Sequence, residues 1–341
     1  MKNFKLISII LILALSVCVM IGCSKKNDTS NSTDTSTTDV SGEGNVTDET
    51  TLANGTENGE GETSGETSGE NATGGSSEES TTAPELITEF EASLTFSESG
   101  CDISDTDAVS VSGKVYTITK AGTYTISGTM ADGQIRVDIP KTEKATLLLN
   151  NFTGSCSDSA VIYVMSADEV YIDMEKESVN TLTDGNSYVF ENPADDKPNA
   201  CIYSSDDLTI KGGGTLNVIG NYNNGIGCKN DIDIKNGVVN VTAIKNAIKG
   251  NDSVTLRGDA VVNILDAKDG IKSDNTDKAG KGFVHVIEEA KLSVNCSDDA
   301  IQATQNVTIT SGACLEIISA STDVNCDGTI NIDDGCIVVK E

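Results

Sequence analysis

Acidic residues in this chain gather beside one recurring short phrase, a small residue followed by an aliphatic one. Asp269, Asp274 and Asp277 flank Gly270-Ile271, and Asp298 and Asp299 precede Ala300-Ile301. If the two segments stack, Asp298 and Asp299 come to lie over Asp269. Carboxylates about 5 Å apart either raise one another's pKa or share a divalent cation, and an all-oxygen donor set suits Ca²⁺. The same residue types also furnish turns and keep an edge-rich protein soluble, so the residues alone leave both readings open.

A second oxygen-rich stretch runs from Asp323 to Asp334. It carries Asp323, Asn325, Asp327, Asn331 and Asp334 at positions 1, 3, 5, 9 and 12, with Gly328 at 6 and Ile330 at 8. That spacing fits a helix-flanked calcium loop. The residues after it, Gly335 to Val339, are strand-like rather than helical, and the stretch falls in register with a repeat that runs through the chain. The expectation is a final coil whose corner, at Asp323, Asn325 and Asp327, still holds a cation.

The elements that must position these acids are short strands. Leu208-Thr-Ile210, Ile232-Asp-Ile234, Val254-Thr-Leu256, Val284-His-Val286, Val307-Thr-Ile309 and Ile330-Asn-Ile332 are each followed by a turn and a second alternating strand, beginning at Leu216, Val239, Val262, Leu292, Leu315 and Ile337. The aliphatic residues of the small-aliphatic phrase, Ile226, Ile248, Ile271, Ile301 and Val324, recur at intervals of 22, 23, 30 and 23 residues, and Ile202 extends the series backward. The long interval contains an insert around 275–282. Three alternating strands per coil of about 22 residues predict a parallel β-helix, an all-β solenoid in which stacked inward ladders build a core no single coil could. Residues 143–341 are expected as regular coils and 86–142, where strands are irregularly spaced, as an N-terminal β cap.

The remaining chain is read from composition. A net charge of −30, with only Arg136 and Arg257 as arginines, argues against nucleic acid as a partner. Residues 1–22 pair Lys2 and Lys5 with an apolar run ending at Gly22-Cys23, a signal peptide whose Met20-Ile-Gly-Cys23 resembles the bacterial lipobox. Lipid attachment is therefore expected at Cys23, which would hold the protein on the extracellular face of a bacterial cytoplasmic membrane by its lipid alone. Residues 23–85, rich in Ser, Thr, Gly and acid, read as a disordered linker. Eight cysteines lie beyond Cys23 without zinc-type spacing. Cys201, Cys228 and Cys326 read as small buried residues, while Cys314 and Cys336 occupy equivalent places in successive coils and could pair under oxidation.

Four phrases carry a family resemblance: Lys114–Gly128 (KVYTITKAGTYTISG), Val179–Gly185 (VNTLTDG), Pro198–Asp207 (PNACIYSSDD) and Lys268–Asn275 (KDGIKSDN). They resemble the carbohydrate-binding-domain-containing lipoproteins of anaerobic bacteria, and the likeness covers about residues 95–341. The resemblance implies a right-handed parallel β-helix shaped like polysaccharide lyases, calcium as cofactor, and plant cell-wall polysaccharides, including acidic ones, as partners. It favours calcium for the group Asp269, Asp274, Asp277, Asp298 and Asp299.

Saccharide contacts are expected from Tyr203, Tyr222, Asn224, Asn246 and Lys272. With no Trp, Tyr163, Tyr171, Tyr188, Tyr203 and Tyr222 are the stacking surfaces on the coils, a poor platform for crystalline cellulose, although cellulose stays a second polysaccharide class. A lyase also needs a base beside the acids. His285 alternates with inward Val284 and Val286 and is expected at the surface, which leaves Lys268, Lys272 and Arg257. The reading is a non-catalytic, monomeric, calcium-dependent polysaccharide-binding protein. The alternatives are a weak pectate-type lyase and a structural adhesin.

Overall fold

The computed structural model describes residues 90–339 except 191, 193 and 195. The expected signal peptide, Cys23 and the expected linker lie outside the described residues. Twenty-eight strands and no helix are described. They form an eighteen-stranded and a ten-stranded sheet.

One coil shows the logic of all. Asn224–Cys228 joins the ten-stranded sheet, Asp231–Ile234 and Val238–Ala243 join the other, and Asn246–Gly250 starts the next coil. From Ala200 onward the strands pair in parallel with their counterparts in the adjacent coils, and in the ten-stranded sheet Ile202 pairs with Ile226, Ile226 with Ile248, Ile248 with Ile271, and Ile271 with Ile301. All five isoleucines are fully buried. The same stacking aligns Leu208, Ile232, Val254, Val284 and Val307 in a second ladder, and Leu216, Val239, Val262, Leu292 and Leu315 in a third. This is a parallel β-helix. Each buried aliphatic side chain contributes about 1.5–3 kcal/mol, so the ladders supply the dominant stabilisation.

The small residue of the small-aliphatic phrase has a steric cause. A Cβ on Gly225 would lie 2.4 Å from Cγ1 of Val241 and 2.8 Å from the carbonyl oxygen of Ala247. This point of the strand packs directly against the neighbouring face of its coil. Ala247 and Ala300 fill the equivalent place in other coils and are fully buried.

The stack begins earlier than the expected boundary at 142–143. Antiparallel pairing is confined to Glu91–Ser97 with Gly100–Ile103 and to Val109–Ser112 with Val115–Ile118. Glu91–Ser97 also pairs in parallel with Gly122–Met130, and Val115–Ile118 with Gln134–Asp138. The early coils hide their period because their strands run through the corner unbroken. Lys144–Cys156 pairs by its first half with Glu169–Met174 and by its second with Val179–Asp184, around Asn151 at φ 51°.

At the other end, Thr322–Cys326, Thr329–Ile332 and Ile337–Val339 form a last coil rather than a helix-flanked loop. Ile330 is 47% exposed, since no further coil covers it among the described residues. The insert at 274–282 is strapped to the two preceding coils, by Lys278 on Asp252 at 2.8 Å and by Lys281 on Asp231 at 2.6 Å. All eight described cysteines are free thiols, Cys314 and Cys336 included.

Candidate functional site

Each strand of the ten-stranded sheet opens with a residue that precedes the small-aliphatic pair: Asn224, Asn246, Asp269 and Asp299 in successive coils. All four are buried, at 2%, 1%, 4% and 6% exposure, so their polar groups must find partners within the stack. The first two do. Asn224 donates Nδ2 to the carbonyl oxygen of Asn199 at 3.1 Å, and Asn246 donates Nδ2 to Oδ1 of Asn224 at 2.6 Å. The amide ladder then ends, because the next rung is Asp269, whose ionised carboxylate has no proton to give. The Oδ1 of Asn246 is left buried without a hydrogen-bond partner.

Beyond that orphaned acceptor, one carboxylate oxygen each from Asp269, Asp298 and Asp299 lie within 4.8 Å of one another. Two of these residues are buried and Asp298 is half-buried. Two side chains compensate part of the charge. Lys268 reaches Asp298 at 2.6 Å and Asp269 at 3.5 Å, and Asn325 donates to Asp299 Oδ2 at 2.8 Å. Hydrogen bonding to Asp298, with the charge of Asp269, raises the Lys268 pKa above its ordinary value. Lys268 therefore sits among the acids as an ammonium ion, the wrong protonation state for a base at neutral pH. The three carboxylates form an oxygen donor set that fits a hard divalent cation, one rung from the unsatisfied amide oxygen of Asn246.

The structure separates the other expected ligands from this cluster. Asp274 follows the far end of the strand Asp269–Ser273 and pairs with Lys249 at 2.7 Å and Lys272 at 3.8 Å. Asp277 closes a turn of the insert, its N–H donating to Asn275 Oδ1 at 2.8 Å. Asp323 and Asp327 are exposed in the last coil, and only Asn325 of that stretch reaches the cluster.

The expected saccharide contacts divide as well. Asn224 and Asn246 are spent on the amide ladder. Tyr222 stacks on Tyr188 at 4.1 Å between ring centroids. Tyr203 is only 4% exposed and packs with Ala160, Ala200 and Tyr163, so its ring serves as a wall rather than an open platform. Lys272 follows Lys249 in one column of the ten-stranded sheet. The column also contains Tyr203 and Tyr163, both named from the sequence, and Arg136 and Gly227, which were not among the expected saccharide contacts. Its basic part was legible in the paired phrases Ala247-Ile-Lys249 and Gly270-Ile-Lys272.

The remaining base candidates are occupied elsewhere. Arg257 holds Asp233 with Nε at 3.1 Å and Nη2 at 2.8 Å, on the eighteen-stranded sheet. His285, on that same sheet, is half-buried and stacks on Phe283 at 4.3 Å. Burial lowers its pKa.

The chain is thus a parallel β-helix with a polar, partly basic outer column and an acidic oxygen cluster. The chain aligns at 41% identity and a TM-score of 0.69 with a solved structure described as the polysaccharide lyase-like protein from C. thermocellum, a gadolinium derivative. The alignment covers 74% of this chain and 100% of that one. Residues 112–340 match the model of the carbohydrate-binding domain-containing protein family. A family protein from Acetivibrio thermocellus is 43% identical over 246 residues, which cover 72% of this chain and 85% of that protein. The chain belongs to the carbohydrate-binding domain-containing protein family.

Proposed function

We propose that the protein is a non-catalytic, cell-surface-tethered binder of acidic plant cell-wall polysaccharides that uses calcium at Asp269, Asp298 and Asp299. The observation that carries the reading is the buried, partnerless Oδ1 of Asn246 beside a rung that holds a carboxylate instead of an amide. A bound Ca²⁺ would satisfy that oxygen, draw in the three carboxylates and present open positions to a uronate. Lys268 would yield its place to the ion. Its ammonium state, and the commitment of Arg257 to Asp233, favour binding over β-elimination.

Calorimetry with Ca²⁺ and binding to polygalacturonate, each repeated with chelator, test the reading. The parent is expected to bind calcium, to melt higher with it, and to bind the polymer more tightly in its presence. The Asp269→Asn/Asp299→Asn double variant should lose these effects and keep its β-rich circular dichroism. A parent that takes up no calcium would sink the reading. Accumulation of unsaturated uronate product would replace it with a lyase.

A further inference from the structure

On the flank of the same sheet lies a second feature that needs no metal. Val189, Phe190, Lys197 and Pro198 stand beside the column Arg136, Tyr163, Tyr203, Gly227 and Lys249. Two cavities open there, of about 280 and 110 Å³, and Lys197 lines both. The larger is bounded by Tyr203, Gly227, Lys229 and Lys249, the smaller by Arg136, Tyr163, Phe190 and Pro198. A Cβ at Gly227 would lie 3.3 Å from the Tyr203 ring, so a side chain here would crowd the cavity wall.

The charge of this groove opposes that of the whole molecule. In a chain of net charge −30, its two cavities gather Arg136, Lys197, Lys229 and Lys249, and Lys272 lies one coil further on. Among the described residues, Asp196 pairs with Lys197 at 2.9 Å, and Asp274 is shared by Lys249 and Lys272. Lys229 is exposed and makes no ion pair among the described residues. The Arg136 guanidinium lies 5.7 Å from the centre of the Tyr163 ring, placing a cation beside an aromatic face. Carboxylates on a sugar chain match the cations, and the apolar faces of its rings match Tyr163, Phe190 and Pro198.

We infer that this groove, walled by Val189, Phe190, Lys197 and Pro198, is a metal-independent binding track for an anionic polysaccharide, which passes from it along the sheet to the acidic cluster. The inference rests on the polysaccharide-binding function proposed for the protein but not on its calcium. From the Arg136 strand to the Asp299 strand there are six strand spacings, about 29 Å at ~4.8 Å each. A single extended glycan segment can span both.

The test is binding to de-esterified polygalacturonate with chelator present, against its methyl-esterified form, across a salt series. The parent is expected to keep salt-sensitive binding to the charged polymer in chelator, at least ten times tighter than to the ester. Lys197→Gln/Lys229→Gln should lose about tenfold in that condition while retaining calcium uptake and melting temperature. Asp269→Asn/Asp299→Asn should keep the chelator-resistant binding. If chelator abolishes all binding by the parent, or the lysine variant binds as the parent does, the track does not exist, and the calcium reading stands or falls on its own calorimetry. Equal binding of charged and esterified polymer would also overturn it.

Discussion

Asn246 donates its Nδ2 to Oδ1 of Asn224 one coil earlier, and its own Oδ1 accepts nothing. A ladder of side-chain amides sustains itself because each rung both donates and accepts. Substituting a carboxylate at the third rung, Asp269, removes the donor and adds charge where burial is nearly complete. An unsatisfied buried polar group costs about 1–3 kcal/mol, so the site stores a deficit that a cation can relieve.

Restoring the amide is the direct test of that deficit. Asp269→Asn gives the ladder a donor for Asn246, and in chelator the variant should be about 1 kcal/mol more stable than the parent in urea unfolding. With calcium added the order should reverse, because the parent alone gains the ion. A variant less stable than the parent in chelator would mean that Asn246 Oδ1 is not the limiting group.

The apolar ladder makes the opposite demand. Ile248 is fully buried between Ile226 and Ile271. Ile248→Asp would place an unpaired charge in a dry stack at about 3–5 kcal/mol. A markedly lowered melting temperature, or failure to fold, is expected; melting with the parent would contradict the inward register.

Asp184 gives the fold a pH dependence. Burial pushes its pKa up to about 6, against the lowering effect of hydrogen bonds from Tyr188 and the N–H of Asn221. An unfolded Asp titrates near ~3.9. Between about pH 4 and pH 6 the folded state therefore binds the extra proton, and this group's contribution to stability falls as pH rises, by at most about 3 kcal/mol in total. Asp184→Asn should match the parent near pH 4 and exceed it near pH 7. A stability difference independent of pH would refute the assignment.

Anchoring is tested outside the solenoid. Cys23→Ala removes the expected lipid acceptor after the apolar run. Fractionation should find the variant released from membranes, and retention at parental level would refute the lipoprotein reading.

Alternation and spacing determined the solenoid, because in stacked parallel strands equivalent residues of successive coils pair, and Ile226, Ile248, Ile271 and Ile301 keep that pairing even where the insert lengthens the interval. The same register foretold that Asp298 and Asp299 would stand over Asp269. Side-chain direction at the corners was beyond its reach. Asn224 and Asn246 resemble exposed sugar ligands in sequence, yet stacking buries them and turns their amides on one another. Asp274, five residues from Asp269, is carried to the other end of a strand by the ~3.3 Å rise per residue and meets Lys249 instead. Nor does the groove have a local signature. Arg136, Lys197 and Lys249 lie far apart along the chain, and tertiary packing brings them to one face. Periodicity states which residues share a ladder. Which of them face an open groove and which are sealed by their neighbours depends on the corners and inserts, where contacts are set by three-dimensional packing rather than by the repeat.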